Sequence, residues 1–491
     1  LAGWPHDNGA IKKASTRRTA DAMDGYLLDP HSGEKRLIYE AQGVCRMEDI
    51  SPDGRLAALF RLVNRGSSDV VLVELETGEQ TVVTPHEGPG SFSGARFIEG
   101  AVLLAGDPER ELVALCRAPL DETGRPGPLE VLAGRDDAEL QEFDVHAQTA
   151  ALLWNAAGLS ELAFYDLETV TLTAGPDLPD EVASELTFSP DGKRLAFVLR
   201  GAAAQRDIWV YDRETQALTQ LTHSPHPGVV FSDLIRPELI EFTAHDGLEL
   251  TGWLYLPKDY ARPGPVVLSF HGGPESQERP TFNSTYQALL AEGIAVFAPN
   301  GRGSTGFGKT FASLDNAALR VDAVQDIESC VEAMVNRGIA SPGRIGIMGG
   351  PYGGNMTMAG LTTFPDAFAA GANICGIVNF ETFFAHTEPW MAAISKVEYG
   401  DPDTQADLLR SLSPIHNINR VKGATIVLHG ANDTNVPVVE AEQIVSALKR
   451  RAIPVEYVRF EDEGHGFTKE QNRITATVAI VRWFAKHLLY S

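Results

Sequence analysis

Two residues far apart in this chain share one local setting. Asp433 stands in His429-Gly-Ala-Asn-Asp-Thr-Asn-Val-Pro437 and His465 in Glu461-Asp-Glu-Gly-His-Gly-Phe467, each in a loop directly after a short apolar stretch. A carboxylate that fixes one imidazole tautomer and stabilises the imidazolium is the arrangement of general-base catalysis in acyl transfer. Such a pair needs a nucleophile upstream, on a sharp turn between a buried strand and a helix. Arg344-Ile-Gly-Ile-Met-Gly-Gly-Pro-Tyr-Gly-Gly-Asn355 has that form. Its centre, Gly349-Gly350-Pro351-Tyr352-Gly353, is the frame Gly-x-Ser-x-Gly with proline in the serine's place. An isolated histidine after a strand is ordinarily a loop residue without chemistry. Here the order of turn, acid and base along the chain argues against that.

The elements around these residues follow one plan. Strands are expected at 266–270, 294–298, 345–348, 369–375, 425–428 and 455–458, after a hairpin over 241–256. Helical patterns fall between them, at 321–336 and 438–451 for example. Apolar strands alternating with helices predict a mostly parallel, doubly wound sheet covered on both faces. With the elbow motif this is the α/β-hydrolase fold. Phe270-His-Gly-Gly-Pro274 follows the first of these strands, where a turn can offer backbone N–H groups to an oxyanion. Gly273 and Tyr352 are the expected donors.

The first half has a different period. Ser51-Pro-Asp-Gly-Arg-Leu-Ala-Ala-Leu-Phe60 recurs as Ser189-Pro-Asp-Gly-Lys-Arg-Leu-Ala-Phe-Val198. Weaker copies lie near 95–131 and 143–172, which gives a repeat of about 46 residues and about four strands per unit. This predicts an all-β propeller over residues 1–225 with roughly five blades, the first of them incomplete. Residues 226–240 read as a linker and 241–491 as the hydrolase domain.

The 66 acidic residues outnumber the 41 Lys and Arg, for a net charge of −25. Nucleic acid and anionic membranes are therefore not expected as partners. The four cysteines are widely spaced and suggest neither disulfides nor a metal site, and no metal or cofactor is expected. No apolar run of about 18 residues is present, and the N-terminal residues lack a signal-peptide pattern, which favours a cytoplasmic location. Homo-oligomerisation is left open.

Taken together, residues 238–489 resemble the catalytic domain of the prolyl oligopeptidase family, closest to its acylaminoacyl-peptidase-like members. The matching stretches are His271-Gly-Gly-Pro274, Asn300-Gly-Arg-Gly-Ser-Thr-Gly-Phe-Gly-Lys309, the elbow, Gly430 to Pro437 and Asp462 to Phe467. The resemblance implies cleavage of short peptides or acylated amino acids held between the domains, with the propeller limiting access. It makes Asp433 the triad acid and His465 the base. It puts Asn435 where many relatives hold a substrate carbonyl with arginine, and Phe380, Phe383 and Val436 around an apolar P1 pocket. Ordinary core packing would explain the two phenylalanines equally well. The chain departs from the family in its short propeller, in lacking a Glu-Glu pair for a free amino terminus, and above all at Pro351. That ring holds φ near −65°, so the elbow is expected to relax and to displace the Tyr352 N–H. Neither Thr357 nor Cys375 is placed by sequence to meet His465 in the serine's stead. Three readings follow: a pseudopeptidase that holds a short peptide or small molecule in the cleft between domains, an enzyme using His465 and Asp433 without a covalent intermediate, or a serine peptidase in which Pro351 is a variant.

Overall fold

The computed structural model describes residues 11–41 and 43–490. Among the described residues, five antiparallel sheets come first. One has three strands, Ile11–Ser15, Asp24–Leu28 and Lys35–Tyr39, and four have four strands each, beginning at Val44, Phe92, Glu139 and Val182. The repeated Ser-Pro-Asp-Gly turns explain part of this regularity. In the first, Ser51 Oγ donates to Asp53 and accepts from the Leu56 N–H at 2.8 Å, and Gly54 supplies a φ of 69°. Ser189, Asp191, Arg194 and Gly192 repeat the arrangement.

Consecutive sheets are pinned by carboxylates. Glu48 accepts from the Gly94 and Ala95 N–H groups and Asp49 from Phe97. Glu142 and Asp144 do the same for Glu185, Leu186 and Phe188. Each acid satisfies backbone donors that a sheet edge would otherwise leave bare.

After Gln220 the chain crosses to a hairpin, Glu238–Thr243 and Glu249–Tyr255, which begins slightly earlier than its sequence pattern indicates. An eight-stranded sheet follows. Its spatial order is the hairpin strands, Ala295–Asn300, Gly264–Phe270, Ala340–Gly349, Ala370–Ile374, Ala424–Gly430 and Val455–Phe460. The last six pair in parallel. Successive residues enter opposite cores: Val266, Leu268 and Phe270 pack on one face and Val267 on the other. Burial on both faces is why these strands read as unbroken apolar runs. Helices Arg320–Asn336 and Val439–Arg450 match their predicted spans closely. The helices at Phe380–His386, Pro389–Tyr399, Ala406–Leu412 and Glu470–Leu488 add to the sequence reading. No helix among the described residues is long and apolar enough to cross a membrane.

The two parts meet along the loops after Phe270 and Asn300. Arg279 donates to the Gly158 carbonyl at 2.8 Å and to Ser160 at 3.0 Å, Asn155 to Gln277 at 2.6 Å, and Lys309 to the Asp107 carbonyl at 3.1 Å. A cavity of about 290 Å³ lies between them, lined from one side by Arg65, Asp107 and Glu139 and from the other by Glu275, Lys309 and Glu398.

Candidate active site

The elbow strand, Ala340–Gly349, runs centrally in the sheet and delivers the chain to a tight turn before helix Tyr352–Thr363. Glycines make this turn sterically feasible. A Cβ on Gly353 would overlap the Phe270 carbonyl oxygen, and one on Gly349 would overlap the Gly353 backbone. One on Gly354 would come within 2.6 Å of Gly376 Cα. Pro351 sits at φ 3°, ψ −81°, away from the −65° that its ring prefers. The turn therefore stops short of the full relaxation to the ring's own angle that the sequence implies. Three backbones crossing at glycine distance leave the turn no room to open. Helical hydrogen bonds from Gly354 to Gly350 and from Asn355 to Pro351, both 3.2 Å, then begin the helix.

Asp433 and His465 meet as their motifs predict: His465 Nδ1 lies 2.8 Å from Asp433 Oδ2. The carboxylate is held from three further sides. Its Oδ1 accepts from the Asn435 and Val436 N–H groups, each at 2.9 Å, and His429 Nε2 lies 3.5 Å from Oδ2 while bonding the Val436 carbonyl at 2.8 Å. Burial pushes the Asp433 carboxyl up, but the hydrogen bonds from His429 and His465 outweigh it and bring the group down to about 2. The acid is buried whereas the His465 side chain remains 28% exposed. Its Nε2 has no hydrogen-bond partner among the described residues. The loops carrying acid and base touch at Gly430, where a Cβ would overlap the Gly464 carbonyl. Glu463 ties down the histidine loop by accepting from the N–H groups of Thr468 (3.1 Å) and Lys469 (2.9 Å) and from the Asn472 amide (2.9 Å).

The turn His271-Gly-Gly-Pro274 lies against the elbow. A methyl on Gly272 would sit 3.6 Å from both Pro351 Cδ and the Gly350 oxygen. Gly273 has φ 124°, a conformation open to glycine. Tyr352 opens the elbow helix, where the first N–H groups lack intrahelical acceptors and attract negative charge. His271 bridges the Gly272 carbonyl and Ser304 Oγ at 2.8 and 2.9 Å, and burial lowers its affinity for a proton. It shapes the turn as a neutral side chain.

Other candidate residues fall differently. Asn435 is half-buried and borders a shallow surface pocket with Arg17, Arg18, Trp390 and Thr434. Phe380, Phe383 and Val436 are buried in one core, with Tyr399 4.8 Å from the Phe380 ring centroid. Thr357 Oγ1 donates to the Gly353 carbonyl inside its own helix. Cys375 is buried beside Asp433, and burial together with that carboxylate pushes its thiol up to about 12. Cys375, His429 and Asp433 are the three potential metal ligands that lie within 4.8 Å of one another among the described residues. The bond from His429 Nε2 to Val436 and the protonated thiol make this group a clamp on Asp433.

Several residues escaped the sequence reading: Glu463, His429, Asp315, Arg320 and Arg65. His429 and Glu463 stand inside quoted motifs, where a polar residue flanking a catalytic one was the available signal. The others are ordinary charged residues until the chain is folded.

Residues 280–490 match the prolyl oligopeptidase family. Dipeptidyl aminopeptidase BIII of Pseudoxanthomonas mexicana is 35% identical over 299 residues, 58% of this chain and 43% of its own. Dipeptidyl peptidase family member 6 of Caenorhabditis elegans is 30% identical over 54% of this chain and 40% of its own. The acylamino-acid-releasing enzyme of Arabidopsis thaliana is 30% identical over 47% and 31%. The match thus spans less than half the length of these relatives. A solved puromycin hydrolase superposes with a TM-score of 0.84 at 21% identity, covering 94% of this chain and 74% of that one. A puromycin-hydrolyzing peptidase of Mycobacterium tuberculosis gives 0.86 at 20%, covering 99% and 78%. The blade-like sheets followed by an α/β-hydrolase domain are the architecture of those structures, and residues 280–490 carry the similarity to the prolyl oligopeptidase family.

Proposed function

We propose that this chain receives a short peptide or an acylated amino acid in the cleft between its domains and, as its sequence stands, does not carry it through an acyl-enzyme. One observation carries the reading: the Asp433–His465 pair is closed at 2.8 Å and the Gly-Gly turn lies on the elbow, but the residue at its centre is Pro351. Acyl transfer needs a nucleophilic oxygen or sulfur there. Thr357 and Cys375 are both buried and turned to other partners. The relatives' names, dipeptidyl aminopeptidase and acylamino-acid-releasing enzyme, support oligopeptide ends as the ligand class. A serine at 351 would supply the member that the Asp433–His465 pair lacks. The chain as written is then a pseudopeptidase with its supporting machinery in place. Four free, buried cysteines support a reducing, cytoplasmic setting.

A second reading draws on His465 itself. Its partial exposure, free Nε2 and anchored Nδ1 suit a general base acting on a bound ligand without a covalent step.

The test compares the Pro351 protein with Pro351→Ser on p-nitroanilides of acylated amino acids and short peptides. Nucleophile loss in serine proteases costs about 10⁶ in kcat, so serine should raise turnover by roughly 10⁴–10⁶. Equal turnover by both proteins would refute the proposal. A non-hydrolytic conversion abolished by His465→Ala would support the second reading.

A further inference from the structure

Arg65 belongs to the propeller by sequence and to the active-site surroundings by contact. It sits in the turn between strands Leu56–Asn64 and Ser67–Glu74, and its side chain, 17% exposed, crosses into the hydrolase domain. Nη1 donates to Glu275 at 2.8 Å and to the Gly273 carbonyl at 3.3 Å. Nε donates to Ser395 Oγ at 3.1 Å, Nη2 meets Met391 Sδ at 3.4 Å, and the guanidinium lies 5.7 Å from the Tyr399 ring centroid. One propeller side chain thus holds both the oxyanion turn and helix Pro389–Tyr399.

That helix carries the connection onward. Glu398 pairs with Arg320, which lies 3.4 Å from Asp315 and stacks over the Tyr352 and Tyr399 rings at 4.9 and 5.0 Å. Tyr352 Oη closes the path by donating to Asp315 at 3.0 Å. Gly273 and Tyr352, the two oxyanion donors, are therefore the ends of one largely buried ionic path. Burial pushes the Asp315 and Glu398 carboxyls up, while the Arg320 guanidinium between them pulls them back down. Gly273 has no side chain to fix its backbone, and at φ 124° it stands where other residues rarely go. Its orientation must come from outside, and a planar guanidinium with several anchored donors supplies it.

We infer that Arg65 is a positioning residue for the oxyanion donor at Gly273, so that docking of the propeller sets the geometry of the site. The inference rests on the reading of Gly273 and Tyr352 as oxyanion donors. It goes further in assigning control of that geometry to a blade turn. Other interdomain bonds, such as Lys309 to Asp107, do not reach the turn.

The experiment has two arms. Amide hydrogen exchange over residues 271–276 is followed in the Pro351 protein and in its Arg65→Met, Arg65→Lys and Lys309→Met variants. Arg65→Met should speed exchange there by about tenfold or more, Arg65→Lys by less, and Lys309→Met not at all. Unchanged exchange in both Arg65 variants, or an equal rise with Lys309→Met, would overturn the inference. In the Pro351→Ser background, Arg65→Met should lower kcat by about ten- to a hundredfold with KM within about twofold, partly recovered by Arg65→Lys. A change in KM alone would overturn it. If Pro351→Ser shows no turnover, the proposed function fails while the exchange arm still decides the role of Arg65.

Discussion

At the scale of single residues, the site separates into groups that do chemistry and groups that hold them. Asp433 is the clearest case, because its hydrogen bonds lower the carboxyl from an ordinary 3.8 to about 2. A depressed folded value means that its contribution to stability is present above pH 3.8 and is lost as pH falls towards 2. The shift corresponds to roughly 2 kcal/mol. Asp433→Asn should therefore flatten the loss of stability between pH 5 and 2 in denaturant unfolding, whereas an unaltered acid limb would show that the carboxylate is not held as described. Asp433, His465 and the Gly-Gly turn were legible in the sequence because each lies in a short motif whose local conformation dictates its own geometry. Arg65, Arg320 and Asp315 were not, since nothing joins them before the chain folds. The phenylalanines show the opposite limit: resemblance places Phe380 and Phe383 at a substrate pocket, and the fold buries them in a core.

At the scale of elements, the elbow depends on glycines where strand, turn and helix cross. Gly353→Ala drives a methyl into the Phe270 carbonyl, and neither backbone can move aside. It should cost about 3 kcal/mol or more in a denaturant melt. Gly66→Ala, whose Cβ meets only the Asn64 side chain at 3.7 Å, is expected to be nearly neutral. Equal midpoints for the two variants would contradict the account of the turn. The parallel strands were legible because burial on both faces writes them as apolar runs. The short helices between 380 and 412 were not, because elements of seven to eleven residues show few turns of the 3.6-residue period.

At the scale of the molecule, the domains are joined by polar contacts that converge on the loops behind the elbow. Arg279 is one example, bonding Gly158 and Ser160 across the interface. Arg279→Met leaves those partners unsatisfied and should lower stability by about 1–3 kcal/mol. Cleavage of the crossing at residues 221–237 in limited proteolysis should also become faster, and unchanged proteolysis would argue against a role in docking. The propeller was legible through its Ser-Pro-Asp-Gly turns, which recur because each fixes a hairpin. How it docks was not, since the residues that make the interface lie in loops without a repeating pattern.

The central claim is that one group, the hydroxyl at position 351, separates this chain from a complete serine-hydrolase site. The direct measurement is the stoichiometry of covalent labelling by a fluorophosphonate, with the labelled residue mapped by mass spectrometry. The account predicts no adduct on the Pro351 protein and an adduct on residue 351 of Pro351→Ser that is suppressed by His465→Ala. An adduct on the Pro351 protein, or none on the serine variant, would contradict it.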